Sequence, residues 1–86
     1  MIENAKPMYL HGLEGSPNGK KGGWMIREYD AHAPEMPAKL GNPKAFDESY
    51  EIAAKAVQTL HPNLIVGSSF GGAILLRLIH EGVWRG

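Results

Sequence analysis

Apolar positions along the chain alternate between short runs bounded by Gly and Pro and longer stretches at helical pitch. Met8-Tyr9-Leu10-His11, between Pro7 and Gly12, predicts a first strand over residues 8–11. Residues 13–23 read as loop, with Gly15, Gly19, Gly22, Gly23, Pro17 and Asn18. A short helix over 20–28 overlaps the end of that loop, with Gly22 and Gly23 each weakening it by about 1 kcal/mol relative to Ala. Tyr29-Asp30-Ala31-His32-Ala33 predicts a second strand over 29–33, stopped by Pro34 and Pro37. The clearest periodicity is Phe46, Tyr50, Ala53, Ala54, Val57 and Leu60, one apolar face of a helix. Asn42 is its expected cap and Pro43 its expected first residue. Glu51 and Lys55 make an i, i+4 pair on the opposite side, and His61-Pro62-Asn63 ends the helix. Leu64-Ile65-Val66-Gly67 predicts the third strand. Ile74, Leu75, Leu76, Leu78 and Ile79 make the last helix, over 70–80, apolar almost all round and therefore expected to be mostly buried, with Gly82 as its stop.

Strands alternating with helices read as βαβ units and a parallel sheet. The expected fold class is α/β, a three-layer α/β/α sandwich with a short parallel sheet of about three strands, in a single domain over 1–86. Composition narrows the function classes. Nine basic residues balance nine acidic ones, so neither nucleic acid nor an anionic membrane is an expected partner. The absence of cysteine excludes disulfides and thiolate metal sites. No apolar run approaches the roughly 18 residues of a spanning helix, and the first seven residues lack the apolar core of a signal peptide, so a cytoplasmic location is expected.

The chemistry concentrates at Gly67-Ser68-Ser69-Phe70-Gly71, a Gly-x-Ser-x-Gly that leaves an apolar strand and enters an apolar helix. That context predicts a nucleophile elbow, a tight turn lifting the Ser69 hydroxyl above the sheet. Gly67 and Gly71 stand two residues either side of Ser69, where a Cβ would crowd the flanking strand or helix.

Three pieces together resemble the N-terminal half of an α/β-hydrolase: Tyr9-Leu10-His11-Gly12, Ala33-Pro34-Glu35-Met36-Pro37 and Gly67-Ser68-Ser69-Phe70-Gly71. More narrowly they are similar to small bacterial esterase-like members with a His-Gly-x-x-(Gly/Ser)-Ser-Pro loop, and the similarity runs from Tyr9 to Gly86. The resemblance implies a partial α/β-hydrolase fold with the first strand in the middle of the three. It implies that Ser69 is the acylated nucleophile, that the backbone N–H groups of Leu13 and Phe70 form the oxyanion hole, and that His11 braces the oxyanion loop beside Gly12. Two fixed N–H groups would stabilise the charge that builds on the carbonyl oxygen, each worth about 2.7–4 kcal/mol. The implied substrate is a small-molecule ester or thioester, and no cofactor or metal is called for.

The family's chain order is Ser, then an acid, then His. Only His80 and Glu81 follow Ser69 among such residues, and His80 lies about 16 Å along the helix from it at 1.5 Å per residue. His32 and His61 read as structural or solvated, and the acids Glu14, Asp30, Glu35 and Asp47 form no metal-like cluster. Glu14 and Glu35 follow strand C-termini and are candidates for the cleft mouth. The expectation is therefore a serine hydrolase module without its acid and histidine, a fragment whose C-terminal half is missing, with a partner chain or a homodimer as the alternatives. A non-catalytic binding or self-associating module is the competing function. Phosphate binding by residues 12–23 is disfavoured, because Gly12-x-x-Gly15 and Gly19-Lys20-Lys21-Gly22 do not spell a phosphate-cradling loop.

Overall fold

The computed structural model describes residues 6–86. In chain order these form β1 (Pro7–Leu10), α1 (Lys20–Tyr29), α2 (Ala45–Leu60), β2 (Leu64–Gly67) and α3 (Phe70–His80). The described residues are thus mixed α/β, with a two-stranded parallel sheet and three helices. The strands pair in the register Pro7↔Leu64, Met8↔Ile65, Tyr9↔Val66 and Leu10↔Gly67. On its other side β1 meets a single parallel bridge, Met8↔His32, so β1 is central.

Side chains on a strand alternate between its faces, and the two clusters of buried residues follow that alternation. Met8 and Leu10 join Ile65, Tyr50, Ala53 and Val57 of α2, and Ile74 and Leu78 of α3. Tyr9, between them, joins Met25 of α1 and Ala31. Helix α2 therefore buries Tyr50, Ala53 and Val57 at the predicted pitch. Gly22 is where α1 comes closest to the chain before it. A Cβ there would stand 2.0 Å from the Pro17 carbonyl oxygen and 3.1 Å from the Tyr9 ring.

Helix α3 ends in a Schellman motif. Gly82, at φ +75, donates to the Ile79 carbonyl, and Val83 donates to that of Leu78 at 2.9 Å. Val83 and Trp84 then fold back onto the main core, where the Trp84 indole N–H donates to the Pro62 carbonyl at 2.8 Å.

Four expectations are corrected. The second strand, expected over 29–33, contracts to the His32 bridge. Tyr29 belongs to α1, and Asp30 caps that helix in a left-handed conformation with its N–H on the Ile26 carbonyl. Only His32 then exchanges bonds with β1, through Tyr9 N–H to its carbonyl at 2.9 Å and its own N–H to Pro7 at 3.0 Å. Pro34 and Pro37 have no N–H with which to extend the ladder. The first strand runs over 7–10, one residue earlier than predicted, which frees His11 for the loop.

Helix α2 starts at Ala45 rather than at Pro43, with Lys44 at the capping position. Asn42 spends its side chain on a local turn instead, accepting from Lys44 N–H at 3.0 Å and donating to Glu48 at 2.9 Å. Finally, α3 is not mostly buried. Ile74 and Leu78 are, but Leu76 is 69% and Ile79 49% exposed, because α3 meets the sheet and α2 through one side only. Among the described residues no helix is long and apolar enough to cross a membrane.

Candidate active site

Only Ser68 and Ser69 separate the end of β2 from the start of α3. The reversal in so few residues is concentrated at Ser69, whose φ of 50° and ψ of −108° lie in a region that side-chain-bearing residues rarely occupy. Hydrogen bonds hold the turn on both sides: Ser68 N–H donates to the Leu10 carbonyl at 3.0 Å, Gly71 N–H to Ser68 at 2.8 Å and Ala73 N–H to Ser69 at 3.1 Å. The flanking glycines are required by space. A Cβ on Gly67 would stand 2.5 Å from the Gly71 carbonyl oxygen, and one on Gly71 would stand 2.0 Å from that of Leu10. The elbow is therefore wedged against the end of β1, and Ser69 itself is exposed.

The loop leaving β1 comes to the same place. A Cβ on Gly12 would lie 3.2 Å from the Ser68 carbonyl oxygen and 3.6 Å from Ser69 Cβ. Residues 12–15 form a turn closed by Gly15 N–H to the Gly12 carbonyl at 2.9 Å. That carbonyl has a second donor in the His11 ring, at 3.0 Å from Nδ1. The Gly12–Leu13 peptide is trans and planar, so the Leu13 N–H points away from a carbonyl held twice over. Among the described residues neither the Leu13 nor the Phe70 N–H donates to a protein acceptor. Phe70 is the first residue of α3, where the free N–H groups and the dipole favour negative charge.

His11 is buried, at 2% exposure. Its Nε2 receives the Met36 backbone N–H at 3.0 Å. An amide only donates, so Nε2 is the acceptor and the ring proton sits on Nδ1, toward the Gly12 carbonyl. Both ring nitrogens are thus occupied in joining the loop to residue 36. His11→Ala would leave the Met36 N–H unpaired and a cavity where the buried ring stood, an expected loss of about 2–4 kcal/mol in urea unfolding. A loss under about 1 kcal/mol would contradict this bracing role.

No other histidine approaches the elbow. His80 ends α3, eleven residues beyond Ser69. His61 is the left-handed cap of α2, before β2 begins, and His32 is exposed at the bridge. The cleft lined by Lys6, Met8, His32 and Leu60 opens at the N-terminal end of β1, away from Ser69. Glu35 is exposed, whereas Glu14 is engaged by residues 38–40.

Two features of the site had no signal in the sequence pattern. Met36 supplies both a core side chain and the amide that fixes His11. Phe70 meets Phe46 of α2 edge-on at 5.8 Å between ring centres, which ties the first turn of α3 to α2. Lower on the same interface, Arg77 lies 4.0 Å over the Tyr50 ring and 3.2 Å from the Asp47 carboxylate.

The family described as Uncharacterised protein family UPF0227 matches the chain over residues 6–80. No curated protein and no solved structure matches it.

Proposed function

The chain belongs to the uncharacterised protein family UPF0227, and within it we propose that Ser69 is the nucleophile of an α/β-hydrolase-type serine hydrolase acting on esters or thioesters. The single observation that carries this reading is the conformation of Ser69, an exposed serine at φ 50° between two glycines whose Cβ positions are occupied by backbone. A strained non-glycine residue persists only where its surroundings impose it. Here the imposed geometry presents a hydroxyl beside the Gly12 loop. In the same reading the helices extend into the α/β/α layering of that superfamily, with α1 on one face of the sheet and α2 and α3 on the other.

The chemistry follows from the atoms present. Ser69 Oγ adds to the carbonyl carbon and gives up its proton to solvent water, which returns one to the departing alcohol or thiol. The carbonyl oxygen becomes an anion facing the Leu13 and Phe70 N–H groups, and collapse expels the alcohol or thiol to leave acyl-Ser69. Water then releases the acid and restores the hydroxyl. Fixed donors are effective because they need no reorientation as the charge appears. A general base for Ser69 is not provided by the histidines of the described residues. Sites stripped of a triad member keep about 10³–10⁴-fold catalysis over water from the oxyanion hole and binding.

The expected result with p-nitrophenyl acetate is therefore slow release of about one equivalent of p-nitrophenol with little further turnover, lost in Ser69→Ala. Identical traces from the two proteins would contradict the reading.

A second reading, a self-associating binding module, is favoured by one observation: Leu64 and Val66 of β2 and Leu76 and Ile79 of α3 are exposed apolar side chains. Sedimentation at several concentrations tests it. Association that grows with concentration supports it, and a monomer throughout contradicts it.

A further inference from the structure

Among the described residues four non-glycine residues have positive φ: Glu14, Asp30, His61 and Ser69. Asp30 and His61 are left-handed helix caps, an ordinary place for that conformation. The other two, Glu14 and Ser69, both belong to the site. Glu14 occupies the third position of the turn 12–15, where positive φ ordinarily selects Gly or Asn. A glutamate there is held by partners on both sides. Its N–H donates to the Ala38 carbonyl at 2.6 Å, and its Oε2 accepts the Leu40 N–H at 2.6 Å. Lys39 Nζ lies 4.0 Å from Oε1.

Residues 36–40 are thereby fastened to the loop at three points: Met36 to His11, Ala38 to the Glu14 backbone and Leu40 to its carboxylate. Leu13 lies between two fixed peptide planes. His11 and Gly15 hold the Gly12 carbonyl before it, and Ala38 holds the Glu14 N–H after it. We propose that Glu14 is a positioning residue, clamping the 12–15 turn to residues 38–40 so that the Leu13 N–H stays aimed at the carbonyl oxygen of an ester bound at Ser69. The inference rests on the serine hydrolase reading. The clamp works through the Leu40 hydrogen bond more than through Lys39, because the ion pair is long and both its side chains are about half exposed or more.

The experiment is the rate of Ser69 acetylation by p-nitrophenyl acetate, read by mass spectrometry across concentrations, in the wild type, Glu14→Gln, Glu14→Ala and Glu14→Gly. Loss of a whole oxyanion donor costs about 10²–10³-fold, so a loosened one should cost less. Glu14→Ala and Glu14→Gly are expected to lower the maximal acetylation rate about 10-fold or more, with half-saturation little changed. Glu14→Gln keeps an oxygen for Leu40 and should stay within about threefold of wild type. Glu14→Gly also relieves the backbone, so a slow but stable Gly variant separates positioning from stability. Glu14 is exposed, and none of these changes reaches the core. Wild-type rates in both Ala and Gly variants would overturn the clamp while leaving the hydrolase reading intact. A wild type that shows no acetylation of Ser69 would overturn that reading, and the clamp with it.

Discussion

Gly71→Ala is expected to unfold the protein or lower its stability by about 4 kcal/mol or more. The new methyl carbon would sit 2.0 Å from the Leu10 carbonyl oxygen, 2.6 Å from its carbon and 2.8 Å from the His11 carbonyl oxygen. All three are backbone atoms at the junction of β1, the loop that follows it and the turn at Ser69, so no side chain can rotate away. Relief requires α3 to move off the sheet, and α3 carries Ile74 and Leu78 in the main core. Domains of this kind hold roughly 0.1 kcal/mol per residue, so such a loss removes a large share of the total.

Gly72→Ala is the internal control. Its Cβ meets nothing closer than 3.6 Å, and replacing glycine within a helix gains about 1 kcal/mol in propensity. Opposite outcomes at neighbouring glycines, read by urea denaturation, would establish that contact with β1 rather than glycine content matters. Equal and mild effects would contradict the close approach of α3 to Leu10.

Ser69→Gly is expected to gain stability while losing all acyl transfer through that position. Positive φ on a residue with a Cβ costs of the order of 1–3 kcal/mol, which glycine does not incur. Part of that gain is offset by the greater freedom of glycine in the unfolded chain. The net expectation is about 1 kcal/mol of stabilisation. Ser69→Ala keeps the Cβ and the strain, so it should lose the chemistry without the gain. Both are compared by thermal unfolding and by acetylation. Equal stability of the Gly and Ala variants would mean that the Ser69 backbone stores no strain.

Elements whose packing is local were legible in the sequence. The face of α2 was written in its spacing from Phe46 to Val57, and β2 and α3 carry their limits in Gly67, Phe70 and Gly82. What was hidden depends on distant partners. Residues 29–33 have strand-like composition, yet α1 continues through Tyr29 and two prolines deny β1 a longer ladder. The outer side of α3 reads as buried because Leu76 and Ile79 are apolar, but periodicity does not reveal which sides of a helix find a neighbour.

The same division holds at the site. Gly67, Ser69 and Gly71 announce an elbow by their spacing, and His11-Gly12 marks the loop that meets it. The hold of residues 36–40 on that loop could not be read from the chain. It consists of backbone groups of Met36, Ala38 and Leu40 meeting partners more than twenty residues away, and any side chain carries the same backbone.

The central claim is that Ser69 is a nucleophile, and the most direct measurement locates the acetyl group after brief exposure to p-nitrophenyl acetate. The peptide containing Ser69 should gain one acetyl group on that residue in the wild type and none at that position in Ser69→Ala, with Ser68 and Ser49 unmodified in both. Acetyl groups confined to lysines or the N-terminal amine, with Ser69 untouched, would contradict the account.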